Sequence, residues 1–382
     1  GTCDGTCVEC DCFGECGGDN WGCIDCAGVP NGLNLEDMCD TCDNDPSNDC
    51  SLDCNGEWGG SAVVDDCGIC NGDGQNYNGL SCEDLNTLQQ IIDANDFSVT
   101  LTAQSETEFH AWDLNGNGLV DPREFGEQNW SEIGRLIFLK VDIPIILTDD
   151  IGALTDLSNL ILENSGLSVI PETIGNLDKL ELLKITSNPI ISLPASIIKL
   201  TNLVELYISN NKLLSLPENI GNLTNLSRLE ADNNGLTTIP NSIVSLSNLH
   251  YLFLENNQIN ILPDSIGYLP SLIELRLQNN QLEGLPANFG RFGTLQNLYL
   301  NKNQLSSLPD NFGEMNSLNV LLLNDNSLDS LPASIGFMEN LKELWLQNNQ
   351  IVALPDEIGS LNSLITLYLQ YNSLQVVPES IG

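Results

Sequence analysis

Basic residues are scarce in this sequence, and their scarcity limits the partners that the protein can bind. The 382 residues include 12 Lys and Arg against 53 Asp and Glu, which gives a formal net charge of −41. The first basic residue along the chain is Arg123. Because a surface of this sign repels phosphate groups and anionic lipids, the composition argues against nucleic acid and acidic membranes as partners. It favours divalent cations, basic proteins or neutral glycans.

Histidine and long apolar runs are also lacking. His110 and His250 are the only histidines, and we recognise no nucleophile elbow, phosphate-binding loop or paired acids of a catalytic pocket. The sequence therefore predicts that this chain is not an enzyme. No run of 18 or more apolar residues occurs, so we expect no membrane span in this chain. Both ends lie inside repeat patterns, which favours a fragment of a longer protein, and a catalytic domain outside the chain is an alternative.

Cysteine is absent after Cys82, although 14 cysteines occur up to that point. Glycine, asparagine and aspartate fill the spaces between them, so this segment has too few apolar residues for a core and needs disulfide bonds or metal ions to fold. We expect disulfide bonds, because a four-thiolate zinc site adds negative charge where no Lys, Arg or His compensates it. Zinc held by Cys23, Cys26, Cys39 and Cys42, whose spacing fits such a site, is the alternative.

The cysteine-rich segment also has an internal repeat, in which D-C-x-G is followed by D-x-C-G-x-C-x-G-D. This pattern resembles the cysteine-rich segments repeated in large secreted proteins of marine bacteria. It is also similar to the cysteine-rich region of secreted thrombospondin-motif metalloproteases. The resemblance implies an oxidising environment, so we expect an extracellular or cell-surface location, with the cysteine-rich segment acting as a stalk or spacer.

A repeat of 23 residues occupies the rest of the chain from about residue 157. Its unit reads L-x-x-L-x-L-x-x-N-x-L-x-x-L-P-x-x-I-G-x-L, and its prolines keep phase from Pro171 to Pro378. The L-x-L alternation predicts a short strand with leucines on one side. The asparagine turns the chain and can bond the backbone of neighbouring coils, and proline then ends strand pairing. One unit cannot bury its apolar face alone, but stacked units form a continuous core.

This unit resembles the leucine-rich repeat, and its L-P-x-x-I-G form is similar to that of Ras-suppressor-type, plant Ras-group and many bacterial repeat proteins. The resemblance implies an α/β solenoid, a horseshoe with a parallel β-sheet on its concave face. A small disulfide-rich, mostly irregular segment and a short helical linker would precede it. Because the closest repeat form is intracellular, an intracellular signalling adaptor with a zinc-bound cysteine-rich segment is an alternative function.

The exposed strand positions between the core leucines are where this family usually binds its ligands. Half of the central positions are aromatic here, in a chain with only 6% aromatic residues. A row of exposed rings favours a contact surface for a protein or a glycan, although strand propensity alone would also enrich aromatic residues. The residues that we expect to bind the ligand are Tyr207, Glu230, Tyr251, Phe253, Arg276, Tyr299, Leu322, Trp345 and Tyr368.

The stretch D-L-N-G-N-G-L-V-D-P-R-E-F fits a calcium-binding loop at every ligand position. Its predicted metal ligands are Asp113, Asn115, Asn117, Leu119 through its carbonyl oxygen, Asp121 and Glu124. The stretch resembles an EF-hand-type or dockerin-type loop, which implies bound calcium. Such loops normally work in pairs, and we find no second loop. We therefore expect calcium to have a structural role between the cysteine-rich segment and the solenoid.

Upstream of this loop, Ser81 and Asp84 resemble a capping box that begins a helix, with Leu85, Leu88 and Ile91 on one face. The predicted domains are the cysteine-rich repeats at 1–82, a helical linker with the calcium loop at 83–133, a degenerate capping repeat at 134–156 and ten leucine-rich repeats at 157–382, the last one truncated. The sequence thus predicts a non-catalytic recognition or adhesion protein.

Overall fold

The computed structural model describes residues 80–95 and 122–381, together with two short strands near the N-terminus. These strands, β1 (Leu35–Glu36) and β2 (Cys42–Asp43), form an antiparallel pair. The chain divides into two compact units, Gly1–Gly79 and Leu80–Gly382. Most of the predicted cysteine-rich segment lies outside the described residues, as does the predicted calcium loop up to Asp121.

Among its described residues the second unit has one α-helix, α1 (Cys82–Ala94), and a sheet of twelve strands, β3 to β14, which lie in chain order. From β4 onward all neighbouring strands are parallel, and each pairs in register with the same positions of the next coil. This arrangement confirms the predicted solenoid. The strands are β3 (Glu127–Trp130), β4 (Leu136–Val141), β5 (Asn159–Leu162), β6 (Leu182–Lys184), β7 (Glu205–Tyr207), β8 (Arg228–Glu230), β9 (Tyr251–Phe253), β10 (Glu274–Arg276), β11 (Asn297–Tyr299), β12 (Val320–Leu322), β13 (Glu343–Trp345) and β14 (Thr366–Tyr368).

The repeat leucines form the core, as their spacing predicts. The middle residue of every strand from β6 to β13 is a completely buried leucine, whereas the residues on either side of it point to the concave face. After each strand from β4 onward the chain returns through a short 3-10 helix, such as Glu172–Asn176, which follows the repeat proline Pro171. Proline suits this position because its fixed φ angle allows the turn and its nitrogen needs no hydrogen-bond partner.

An asparagine ladder joins consecutive coils, as the repeat predicts. In Asn280 the Nδ2 atom donates to the carbonyl oxygens of Leu254 and Leu277, both at 3.0 Å, and Oδ1 accepts from the backbone nitrogen of Ile259 at 2.9 Å. Equivalent bonds recur from Asn188 to Asn372. The ladder satisfies buried backbone groups that would otherwise lack partners.

The residue before each ladder asparagine, and the residue before Ser165 at the same place in the first repeat, has a left-handed backbone conformation that was not predicted from the sequence. Asparagine tolerates this conformation better than other residues with a side chain, because its short amide can bond locally. Six of the ten positions are accordingly asparagine. The ten residues, with φ between 52° and 59°, are Asn164, Ser187, Asn210, Asn233, Asn256, Asn279, Lys302, Asp325, Asn348 and Tyr371.

The N-terminal end of the solenoid is held by α1 and by the antiparallel pair of β3 and β4. Ser81 caps α1 by accepting from the backbone nitrogen of Asp84 at 3.3 Å. The carboxylate of Asp84 does not complete the predicted capping box. It is fully buried and accepts from Arg135 at 2.9 and 3.0 Å and from the backbone nitrogen of Leu136 at 2.7 Å. Removing one partner of such a buried pair costs about 3–5 kcal/mol.

Candidate ligand-binding face

The concave face presents three columns of side chains, because alternate residues of a strand point to the same side. The first column contains the residue before the middle leucine of each strand, the second the residue after it, and the third the residue two positions further on. The second column is the one that the sequence analysis singled out. From β5 to β14 it consists of Ile161, Lys184, Tyr207, Glu230, Phe253, Arg276, Tyr299, Leu322, Trp345 and Tyr368.

The aromatic residues of the second column differ in exposure, which corrects one expectation. Tyr207, Tyr299 and Trp345 are half-buried and Tyr368 is 38% exposed, but Phe253 is only 6% exposed. Phe253 therefore does not face solvent as the repeat geometry predicted. Its ring is covered by guanidinium groups from the two neighbouring strands, a contact between coils that the periodicity of the sequence does not encode.

Four of these rings occupy alternate strands, β7, β9, β11 and β13. With about 4.8 Å between neighbouring strands, successive rings are about 10 Å apart. We call the three spaces between them the first, second and third gaps. They are centred on Glu230 of β8, Arg276 of β10 and Leu322 of β12.

The first gap is filled by the side chain of Arg228. Its Nε atom donates to Glu230 Oε1 at 2.6 Å, and its Cζ atom lies 6.0 Å from the ring centre of Tyr207 and 4.8 Å from that of Phe253. The ring of Tyr251 adds a third aromatic contact, at 4.9 Å. A cation held between ring faces in this way is stabilised by the ring quadrupoles.

The second gap is filled in the same manner by Arg276. Its Nε atom donates to Glu274 Oε1 at 2.6 Å, Glu255 lies 3.6 Å from its Nη1 atom, and its Cζ atom is 4.0 Å from the ring centre of Phe253 and 5.6 Å from that of Tyr299. Burial disfavours the charge of Arg276, but the hydrogen bond and the charge of Glu274 outweigh this and raise the pKa of the guanidinium. The cation is therefore fixed in place.

The third gap contains no cation of the chain. Leu322 replaces the arginine, and none of the three columns contains Lys or Arg from β11 to β14. Trp345 packs edge-on against Tyr368 with ring centres 4.8 Å apart, and it donates from Nε1 to Glu343 at 3.4 Å. No ion pair is found for Glu343 within the described part of the chain. The rings of Tyr299 and Trp345 therefore flank an apolar floor next to a carboxylate.

The third column contributes polar groups that the sequence analysis did not single out. In five consecutive coils a side-chain oxygen of this column is buried without a hydrogen-bond donor. These atoms are Glu255 Oε2, Gln278 Oε1, Asn301 Oδ1, Asn324 Oδ1 and Gln347 Oε1. The same 23-residue phase, read two positions after the second column, would have located these residues, but their lack of donors depends on side-chain positions in the structure.

Near β6 and β7 the polar groups of the face are instead paired with one another. Lys184 Nζ lies 2.7 Å from Glu163 Oε1. The hydroxyl of Tyr207 donates to Glu205 at 2.6 Å, and burial together with this bond raises the pKa of Tyr207 to about 12. These groups satisfy each other within the chain, in contrast to those beyond β11.

Of the predicted calcium ligands, only Glu124 lies within the described residues, and it is buried. The ligands from Asp113 to Asp121 lie outside them. Among the described residues no group of three or more His, Cys, Asp or Glu side chains is placed to hold a metal ion. No helix in the described part of the chain is long and apolar enough to cross a membrane.

The repeat region of the chain matches known protein families. The leucine-rich repeat region family matches residues 145–241 and 238–345, and a single leucine-rich repeat matches residues 340–361. Among curated proteins no significant match to the chain was found.

Solved structures of repeat proteins resemble the chain. A Leptospira interrogans leucine-rich repeat protein, LIC12759, is 31% identical with a TM-score of 0.45, over 60% of this chain and 70% of that one. The plant peptide hormone receptor RGFR1 in complex with RGF2 is 34% identical with a TM-score of 0.55, over 60% of this chain and 38% of that one. The Arabidopsis receptor kinase HAESA, in complex with the peptide hormone IDA and the co-receptor SERK1, is 24% identical with a TM-score of 0.57, over 76% of this chain and 54% of that one.

The chain thus spans 38% of the RGFR1 chain and 54% of the HAESA chain. The family match covers more than half of the 382 residues, and the fold has the repeating strands and the asparagine ladder that the repeat predicts. The protein belongs to the leucine-rich repeat family.

Proposed function

We propose that this chain is the ligand-binding part of an extracellular or cell-surface recognition protein, which binds a peptide or a protein on its concave face without catalysis. The observation that carries the proposal is the open aromatic surface formed by Tyr299, Trp345 and Tyr368. Among the described residues no cation contacts Trp345 or Tyr368, and Tyr299 contacts Arg276 only on the side of the second gap. Partly exposed rings next to polar groups without partners are typical of contact surfaces. The structure of RGFR1 with RGF2, a receptor for a peptide hormone, supports a peptide as the ligand.

The test is to select peptides from a random displayed library on the whole chain and to measure their affinity for variants. The double variant Tyr299→Ala with Trp345→Ala should bind the selected peptides at least about tenfold more weakly, because aromatic anchors carry most of the energy of such interfaces. Tyr268→Ala with Phe337→Ala is the matched control, since these exposed rings lie on the 3-10 helices. If both double variants bind equally well, the concave face is not the binding surface.

A glycan is the second candidate ligand, because aromatic and amide side chains together also suit sugars. The same pair of double variants tests it on a glycan array. Glycans that bind the wild-type chain and the Tyr268→Ala, Phe337→Ala control, but not the Tyr299→Ala, Trp345→Ala variant, would replace peptides in the proposal.

The proposed location outside the cell rests on the 14 clustered cysteines and is supported by Cys82, which is disulfide-bonded. Disulfide bonds persist in oxidising compartments and are rare in the cytosol. Thiol alkylation without reductant should leave the mass of the purified chain unchanged, and metal analysis should find no zinc. Free thiols together with bound zinc would favour the intracellular adaptor instead.

We further propose that the loop from Asp113 to Glu124 holds a structural calcium ion. Three carboxylates within twelve residues repel one another unless a cation is bound. A calcium chelator should therefore lower the melting temperature of the chain. The variant Asp113→Ala with Glu124→Ala should abolish this response, and a melting temperature that the chelator does not change would contradict the proposal.

A further inference from the structure

The third gap, above Leu322, has the surroundings of a site for a positively charged side chain. We infer that this gap binds an arginine or lysine side chain of an extended peptide ligand. This inference rests on the proposed function, because it specifies which group of a peptide the concave face recognises. Three features of the face support it: the two gaps that the chain fills itself, the unpaired oxygens of the third column and the charge around the third gap.

The first and second gaps show what such a space accepts. In each of them a guanidinium group lies between two rings of the second column and is held by a carboxylate of the same strand, Glu230 or Glu274. The third gap has rings on both sides in the same way, from Tyr299 and Trp345. Its own residue, Leu322, is shorter than arginine and carries no charge. The pair of rings is therefore repeated, but β12 supplies neither a cation nor a carboxylate, and the nearby acid is Glu343 on β13.

The oxygens of the third column favour a ligand group that only donates hydrogen bonds. Asn301, Asn324 and Gln347 flank the third gap and each has a buried oxygen without a donor. Asn324 is only 8% exposed, and its Nδ2 atom donates to Asp325 Oδ2 at 2.5 Å, which fixes the direction of the amide. These oxygens have almost no exposed surface in the free chain, so a bound donor reaches them only after neighbouring side chains shift.

The type of donor follows from the hydrogen-bonding capacity of the candidate groups. A guanidinium carries five N–H donors and an ammonium carries three, and neither has an acceptor that must be satisfied. Sugar hydroxyls and peptide amides bring acceptors with their donors. No Lys or Arg lies in the columns around the gap, so only neutral amide and hydroxyl donors could meet these acceptors there. A site lined by acceptors and ring faces therefore suits a basic side chain best.

Charge also favours a basic side chain. Glu343 stands beside Trp345 and has no ion pair among the described residues, so its carboxylate can pair with a cation above Leu322. The net charge of −41 attracts basic ligands over longer distances. This long-range attraction is not specific, so the experiment has to separate it from binding in the gap.

The experiment places a cation in the third gap by a substitution in the chain. Peptides selected from the random library on wild-type chain are measured against Leu322→Arg, which gives the third gap the residue that Arg276 provides in the second. Two matched controls are Leu322→Met, which keeps the size without the charge, and Ser307→Arg, which adds the same charge at an exposed position away from the strands. Melting curves establish that each variant is folded.

We expect the selected peptides to share a basic residue. Leu322→Arg should weaken their binding at least about tenfold, because it occupies the gap and repels the ligand cation, whereas both controls should stay within about twofold of wild type. Replacing the shared arginine of a synthetic peptide with citrulline, which has the same shape without the charge, should cause a similar loss. This second measurement needs no protein variant, so it tests the inference even if Leu322→Arg does not fold.

Two results would overturn the inference, and they are distinguishable. If peptides lose binding in Tyr299→Ala with Trp345→Ala but tolerate both citrulline and Leu322→Arg, the proposed function stands and the basic side chain does not occupy the gap. If no selected peptide depends on Tyr299 and Trp345, the proposed function itself is wrong and this inference is wrong with it.

Discussion

The concave face consists of two parts that differ in charge although the same coil supports both. From β6 to β10 each of the cations Lys184, Arg228 and Arg276 is paired with a glutamate, and Phe253 lies between the two arginines. From β11 to β14 the columns contain no Lys or Arg, and the one cation among the described residues that contacts a ring there is Arg276 of β10, which reaches Tyr299. A regular repeat can therefore keep its scaffold constant while one stretch of its surface pairs internally and another does not, and we propose that the second stretch binds an outside ligand.

The largest expected effect concerns the asparagine ladder. We expect it to contribute equally to stability beneath the strands from β6 to β10, called the paired part, and beneath those from β11 to β14, called the open part. Asn257 and Asn303 make equivalent ladder bonds, one beneath the paired part and one beneath the open part. Replacing either with alanine leaves buried backbone groups unpaired and should lower the free energy of unfolding by about 3 kcal/mol. Urea denaturation followed by circular dichroism measures this, with the exposed Asn316→Ala as the control.

If Asn257→Ala and Asn303→Ala differ by more than about 1 kcal/mol, the two parts differ in scaffold as well as in surface. The difference in charged side chains would then not be the only difference between the two parts.

The second prediction compares a ring that stabilises the fold, Phe253, with a ring of the proposed binding surface, Trp345. Phe253→Ala should lower the free energy of unfolding by about 3 kcal/mol, because it removes a buried ring and two cation–π contacts. Trp345→Ala should lower it by only about 1 kcal/mol, because this ring is half-buried and contacts no cation of the chain. Equal losses in urea denaturation would contradict the assignment of the two rings to different roles.

The third prediction concerns two substitutions that exchange the central residues of the second and third gaps. Arg276→Leu leaves Glu274 and Glu255 without their cation and should lower the free energy of unfolding by about 1 kcal/mol. Leu322→Arg should change it by less than about 0.5 kcal/mol, because the side chain can lie between Tyr299 and Trp345 without displacing another residue. A strongly destabilising Leu322→Arg would show that the third gap is too small for a guanidinium.

The smallest effect is a pH dependence in the paired part. Burial raises the pKa of Glu255 above 4.5, and the charge of Asp232 adds to this, while Arg276 acts in the opposite direction. Because the folded chain then binds this proton more readily than the unfolded chain, the charged carboxylate is unfavourable at neutral pH. Glu255→Gln should therefore raise the melting temperature at neutral pH, and the gain should shrink as the pH falls toward 4.5.

The control for this prediction is Glu314→Gln, which removes one exposed negative charge from a 3-10 helix. An equal gain in both variants would mean that general repulsion between negative charges, and not the burial of Glu255, limits the stability of the wild-type chain.

The sequence predicted the scaffold because the same pattern of leucine, asparagine and proline recurs in every coil, and each of these residues has one structural role. It did not predict the burial of Phe253, since the arginines that cover it belong to neighbouring strands and reach the ring only through particular side-chain conformations. It also missed β3, which lies in the segment predicted as a helical linker and has no L-x-L alternation. Asp84 looked like a capping residue, but the nearby Arg135 provides a stronger partner.

The position of a bound peptide tests the central claim most directly. A crystal structure of the chain with a library-selected peptide should place the peptide along the strands from β11 to β14, with its basic side chain above Leu322 between the rings of Tyr299 and Trp345. A peptide bound on the side of the 3-10 helices, or one that leaves these two rings uncovered, would contradict the account.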